Sequence, residues 1–256
     1  MKALALAVAL SGCGLLSARA EAQTRAPFEL RWEVDLPITA ASAVIGSAWL
    51  LRNELGPAPC APLCDRERLA VFDRFAAGWY QPDVKLASDL GVAALLGVGA
   101  ALLYFDAGFA DLALGSEAVL VTSAIVVTSM LGMRRPRPFL YGEDAPRSER
   151  ELGGAAVSFP SGHTAHAFAL ALALFQIQHA RHPFCDGPYW VLAGTLTLAT
   201  GVGVTRIVSG DHFPSDVLAG ALIGSAIGWL VPELHRAAPD VTLVPHADGL
   251  SLSGRF

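Results

Sequence analysis

Five stretches of the chain carry no Asp, Glu, Lys or Arg over 15 to 19 residues: 90–105, 118–133, 165–179, 187–205 and 217–231. Each lies at or just under the roughly 20 apolar residues that a helix needs to cross a bilayer, and flanking residues extend most of them. Five spanning helices are predicted. An earlier apolar run, 38–51, has 14 residues; at about 1.5 Å per residue it reaches about 21 Å, short of a hydrocarbon core of roughly 30 Å. It reads as a sixth span or as an interfacial segment. In the last run, Gly220, Gly224 and Gly228 recur every fourth residue, a spacing that lets a second helix approach closely. The fold class expected is all-α: a multi-pass transmembrane bundle of five or six helices.

The polar stretches divide the rest. Residues 52–85 hold Pro57, Pro59 and Pro62 with Cys60 and Cys64, and 134–160 are rich in Arg and Glu; both lie outside the hydrocarbon. After Pro232 the chain turns polar, and 241–244 and 250–253 alternate around His246 to Gly249 as a small hairpin does. Lys2, the apolar run from Ala3, and the small residues Ala20 and Ala22 form a secretory signal with cleavage expected before Gln23. Leu10-Ser11-Gly12-Cys13 leaves a lipoprotein box open, and an uncleaved anchor is the other alternative. The organisation expected is therefore signal 1–22, an N-terminal segment 23–85, one helical bundle 86–231 and a polar tail 232–256. Cys60 and Cys64 suit a short disulfide in an oxidising compartment; no second Cys or His pair follows to complete a metal site.

Composition sharpens this picture. Hydrophobic residues make up 53% and charged residues 16%, against about a quarter charged in soluble domains. A net charge of -5 supplies no general basic field, so nucleic acid is not an expected partner. The cations are almost all arginines: Lys2 and Lys85 stand against 16 Arg.

Three polar segments at the ends of apolar runs carry the candidate chemistry: Arg134-Arg135-Pro136-Arg137-Pro138, Pro160-Ser161-Gly162-His163, and Thr205-Arg206 through Asp211-His212 to Asp216. A phosphoryl group in transfer spreads charge over three oxygens, so its catalysis is mainly positioning and positive charge. Arginine supplies that charge with bidentate donors. Arg137 and Arg206 are the first candidates, with Arg135 and Arg134 behind them; a headgroup anchor is the competing role for Arg134. Ser161 and Gly162 open the 165–179 helix, where a serine cap and free amides favour an anion. His163 stands beside that anion as a general acid. His212 and Asp216, four residues apart, are placed to face each other, the carboxylate fixing the tautomer of a nucleophilic imidazole.

These segments resemble the superfamily of type 2 phosphatidic acid phosphatases and vanadium haloperoxidases, whose pattern is Lys-x6-Arg-Pro, Pro-Ser-Gly-His and Ser-Arg-x5-His-x3-Asp. The second and third motifs match closely, with Thr205 in place of Ser, and the resemblance covers residues 86–231. It implies an all-helical bundle, a phosphohistidine formed on His212, support from Asp216, protonation of the leaving group by His163, and phosphoryl oxygens held by Arg137 and Arg206. It implies no cofactor and no metal for phosphatase activity. One position departs: the motif lysine falls on Met130. Losing one such donor costs roughly 2.7–4 kcal/mol at a transition state, and Arg134 or Arg135 is the nearest expected replacement.

The resemblance implies a phosphatase of a lipid phosphate or polyprenyl diphosphate in a bacterial-type inner membrane, with membrane lipids as surroundings. Two alternatives differ in class: a non-catalytic lipid-phosphate binder that lost the motif lysine, and a vanadate-dependent haloperoxidase. Residues 52–85 and 134–160 each carry five Lys or Arg and 106–117 carry none, which by the positive-inside rule places the site in the cytoplasm. The signal, the cysteine pair and the resemblance favour the periplasmic face, reached if 38–51 does not span.

Overall fold

The structure, a computed structural model, describes residues 27–237, 240–246 and 249–255, the last two stretches by their backbone alone. The expected signal and lipoprotein box lie outside the described residues. Six long helices follow one another: α1 (Trp32–Ser47), α2 (Pro82–Ala107), α3 (Phe109–Met133), α4 (Gly162–Arg181), α5 (Gly187–Val208) and α6 (Pro214–Leu234). Two strands then pair antiparallel, β1 (Asp240–His246) with β2 (Gly249–Arg255), His246 opposite Gly249. The multi-pass bundle and the small terminal hairpin are both as predicted.

Every helix is longer than the uncharged run that predicted it, in several cases because a charged residue next to the run lies inside the helix and meets a partner on another. Asp111, in the first turn of α3, is buried and paired through both oxygens with Arg181 at the end of α4. Glu117 is buried in the same helix, Asp89 sits within α2, and Asp35 is buried in the first turn of α1. A charge turned to protein partners avoids the cost of facing lipid.

The 38–51 segment changes most. It is part of α1, which a 3₁₀ helix, Ala48–Leu55, extends to 24 residues, apolar and long enough to cross a membrane. Four further helical stretches meet the same test, and α4 stands at their centre. The expected route to a periplasmic site needs 38–51 not to span, whereas the helix that contains it is long enough to do so.

α4 is central because its residues are small. Ala165, Ala167, Ala169, Ala171 and Ala173 are buried along its length. α6 lies directly against it: a Cβ on Gly220, Gly224 or Gly228 would stand 2.4, 2.1 or 2.2 Å from the carbonyl oxygens of Ser161, Ala165 and Ala169. The glycine ladder is thus the contact that fixes how the first turns of α4 and α6 sit together. The segments between α1 and α2 and between α3 and α4 share one end of the bundle, where Cys60 and Cys64 are disulfide-bonded and Cys64 packs beside Phe139 and Leu140. At the other end, the chain before α1 pairs with the chain after α6: Glu29 N–H donates to the His235 carbonyl and Ala237 N–H to that of Pro27.

Candidate functional site

Four helix ends converge under the 134–161 segment: the start of α2, the end of α3, the start of α4, and the turn from α5 to α6. That turn depends on Gly210, whose φ of 80° suits glycine and whose Cβ would overlap the Trp79 carbonyl oxygen at 1.8 Å. It presents Arg206, Asp211 and His212 in succession. A cavity of about 230 Å³ is walled by Arg137, Gly162, His163, Arg206 and His212, with Met130 and Trp49 beside them. A polar cleft above it adds Arg52, Lys85, Asp89 and Asp211. Arg137, Gly162, His163, Arg206 and His212, from three separate segments, therefore meet in one place.

Their contacts assign each a position. Arg137 and Arg206 are both buried. Arg137 donates from Nε to the Gly154 carbonyl at 2.9 Å and ion-pairs with Asp211. Arg206 reaches Asp211 at 2.8 Å and Asp89 at 2.7 Å, and its buried Nε has no protein partner. His163 meets the same Asp89 oxygen at 2.9 Å through Nε2. His212 is buried, and its Nδ1 donates to the Ser158 carbonyl at 2.5 Å. Because a carbonyl only accepts, Nδ1 carries the proton and Nε2 keeps its lone pair in the neutral ring. Burial, then the charges of Arg137 and Arg206, hold the His212 pKa well below the usual imidazole range, against Asp211. Burial pushes the Asp211 carboxyl up, but Arg137, Arg206 and Lys85 outweigh it and keep it far below the usual range.

Several expectations are corrected. Asp216 does not touch His212. Its Oδ2 accepts from the Phe213 N–H at 2.8 Å, capping α6, and from Ser158 Oγ at 2.6 Å, while Oδ1 pairs with Arg135. A carboxylate in the first turn of a helix satisfies the free amides there, so Asp216 reaches His212 only through Ser158, whose carbonyl holds the ring. Arg135 is committed to Asp216, Asp73 and Ser215 and lies over the Phe213 ring, 4.5 Å from its centroid. Arg134, in a left-handed conformation at the end of α3, donates to the Gly56 and Pro57 carbonyls. Neither borders the cavity. Ser161 is buried beneath it, with its hydroxyl on Thr164 at 2.9 Å rather than on a backbone amide; Gly162 alone of that pair forms the wall.

Met130 lies in the apolar floor beside Gly162, where a motif lysine would have stood. Beyond Arg137 and Arg206, a third cation approaches the site's carboxylate: Lys85, 3.6 Å from Asp211 and half exposed. Lys85, Asp89 and Asp211 were not singled out from the sequence. A signal existed for the first two: they are charges four residues apart, next to a 16-residue uncharged run, hence on one face of a single helix.

A model of the PAP2 superfamily matches residues 113–240, half of the chain. The chain belongs to the PAP2 superfamily. Among curated members, it is 38% identical to a lipid A 1-phosphatase of Porphyromonas gingivalis over 112 residues, 44% of this chain and 23% of that protein. It is 35% identical to a lipid A 4'-phosphatase of Bacteroides thetaiotaomicron over 77 residues, 30% of this chain and 31% of that protein. The chain thus spans less than a third of either relative. The crystal structure of a transmembrane PAP2-type phosphatidylglycerolphosphate phosphatase from Bacillus subtilis covers 90% of this chain and 92% of its own, at 19% identity and a TM-score of 0.46. The PAP2 match begins within α3 and includes the cavity residues from Met130 to His212. It leaves out α1 and α2, which bring Arg52, Lys85 and Asp89.

Proposed function

We propose that this PAP2 protein is a membrane phosphatase that removes a phosphoryl group from a lipid phosphate or diphosphate through a phosphohistidine. The observation that carries this reading is the pairing, in one cavity, of two imidazoles with two buried arginines, one of which keeps an unpartnered Nε–H. A buried guanidinium donor without a partner is costly, and a phosphoryl oxygen satisfies it. The Nε2 lone pair of His212 attacks phosphorus, the bond from phosphorus to the leaving oxygen breaks, and His163 protonates that oxygen. His163 then takes a proton from water as the water oxygen attacks the phosphohistidine, which releases inorganic phosphate and restores both rings. Asp89 positions His163, and Lys85 supplies the charge that Met130 does not.

A lipid substrate fits the surroundings and the names of the relatives. An apolar groove of about 610 Å³ runs between α2 and α5, lined by Gly91, Leu95, Leu102, Leu198 and Val202, and ends at Thr205 beside Arg206. The site is assigned to the periplasmic face of an inner membrane, where the Cys60–Cys64 bond on the same side is stable; residues 27–31 are then cytoplasmic. Selective labelling of Arg150→Cys from the cytoplasm overturns that orientation. Phosphate release by purified protein from phosphatidic acid, phosphatidylglycerol phosphate, lipid A and polyprenyl diphosphate tests the reaction. Turnover of at least one, abolished by His212→Ala, is expected; no turnover with retained phosphate binding makes the chain a binder.

A further inference from the structure

At the end of the bundle away from the cavity, three buried residues from three segments converge: Asp35 in α1, Glu117 in α3 and His235 just after α6. One ligand atom from each lies within 4.8 Å of the others. His235 Nε2 is 3.1 Å from Asp35 Oδ1 and 3.8 Å from Glu117 Oε2. Among the described residues, no Lys or Arg forms an ion pair with either carboxylate. Two buried negative charges therefore face one imidazole.

The imidazole is oriented for a ligand. Its Nδ1 donates to the Val231 carbonyl at 2.7 Å, which puts the ring proton there and turns the Nε2 lone pair toward the carboxylates. Nε2 is buried and has no hydrogen-bond partner, although Asp35 Oδ1 is close: the oxygen stands off the line that a ring N–H would need. Asp35 is held from behind, its Oδ2 accepting from the Arg31 N–H at 2.6 Å. Outer hydrogen bonds of this kind fix the first ligands of protein metal sites.

Two occupants cancel the charge of the triad. Two protons, one on His235 and one on a carboxyl, leave it neutral, and so does a divalent ion bound to a neutral imidazole and two carboxylates. The ion is the one that needs no ring N–H aimed at Asp35, which the position of Nε2 does not provide. For bonds of about 2.0–2.2 Å, ligand atoms around a tetrahedral ion stand about 3.3–3.5 Å apart. The two imidazole–carboxylate separations, 3.1 and 3.8 Å, bracket that value, and the two carboxylates lie within 4.8 Å of each other.

We infer that Asp35, Glu117 and His235 bind a divalent transition-metal ion of the zinc class, which ties α1 to α3 and α6 at the end of the bundle opposite the phosphate cavity. One imidazole and two carboxylates suit Zn²⁺. The site is structural: it fixes the end of α1, whose other end carries Trp49 and Arg52 to the cavity.

The test uses the full chain in detergent, stripped with a chelator, re-equilibrated with ZnCl₂ alone and desalted. Elemental analysis is expected to find about one zinc per chain in the wild type and in His212→Ala, and less than about a fifth of that in Asp35→Asn, Glu117→Gln and His235→Gln. Two measurements on the wild type keep the proposal open to refutation if the variants do not fold. Zinc is expected to raise the Tm of the stripped protein, and X-ray absorption to show only nitrogen and oxygen neighbours at about 2.0–2.2 Å. A wild type that retains no zinc and gains no Tm, or zinc kept equally by the three variants, overturns the inference.

Discussion

The two ends of the bundle carry opposite charge imbalances. In the polar cleft, Arg52, Lys85, Arg137 and Arg206 face Asp89, Glu149 and Asp211, one positive charge in excess before His163 is counted. At the far end, His235 is the one side chain among the described residues that ion-pairs with Asp35 and Glu117. A buried cluster whose own charges do not cancel is completed by a ligand of the missing sign, so the same bundle is built to take an anion at one end and a cation at the other. The largest effect that tests this contrast is loss of the nucleophile. His212→Ala should reduce phosphate release by at least about 10³-fold, as removal of a nucleophile acting within a unit does, while its zinc content stays at the wild-type level. Loss of both would show that the ends are not independent.

Lys85 supplies the next test, because its charge is what tips the cleft to positive. Lys85→Met should lower kcat/KM about 10- to 100-fold, less than a fully buried donor costs because the side chain is half in solvent. Adding Met130→Lys to that variant places an ammonium at the motif position under Gly162 and should recover at least about tenfold. If the double variant is no better than Lys85→Met, the two positions do not serve the same phosphoryl oxygens.

The ends are joined by the α4–α6 seam, and the third test opens it. A Cβ at Gly224 would stand 2.1 Å from the Ala165 carbonyl oxygen, so Gly224→Ala must push two backbones apart. Overpacking of this kind costs about 1–3 kcal/mol and should appear as a lower Tm. Activity should fall further than Tm alone accounts for, since His163 and His212 ride on the two separated helices. A variant with unchanged Tm would show that the seam is looser than the backbone spacing implies.

How much could be read from the sequence follows from how each feature is encoded. The ladder at Gly220, Gly224 and Gly228 was legible because a backbone contact needs a small residue at every turn. Arg137, His163, Arg206 and His212 were legible because they sit at the ends of apolar runs, in segments that resemble a known pattern. What failed was the treatment of charge inside an apolar helix. Asp89 and Glu117 bounded predicted spans and Asp35 and Asp111 fell outside them, yet each faces a partner from another segment: His163 and Arg206, His235, His235 again, and Arg181. Pairing across helices leaves no mark in a linear pattern. The spacing of His212 and Asp216 misled for a related reason, since the free amides at the start of α6 compete for the carboxylate and win.

The smallest expected effect separates the ends by their response to acid. The folded His212 pKa is depressed, so the ring stays neutral when the unfolded chain takes up its proton near pH 6.5. The unfolded state then binds more protons than the folded one, and stability falls as pH drops below about 6.5, by up to about 1.4 kcal/mol per pH unit for this single group. Asp211, whose folded pKa is also depressed, adds its own loss only as pH approaches the unfolded carboxylate value near 3.9. Between pH 7 and 5 the slope of Tm therefore reports the imidazoles, and His212→Gln should flatten it. Zinc is kept saturating in both proteins, so that the far end is in the same state at every pH. Equal slopes for the wild type and His212→Gln, both zinc-loaded, would mean that the imidazole facing Arg137 and Arg206 is not held neutral, and it could not then offer Nε2 as the attacking atom.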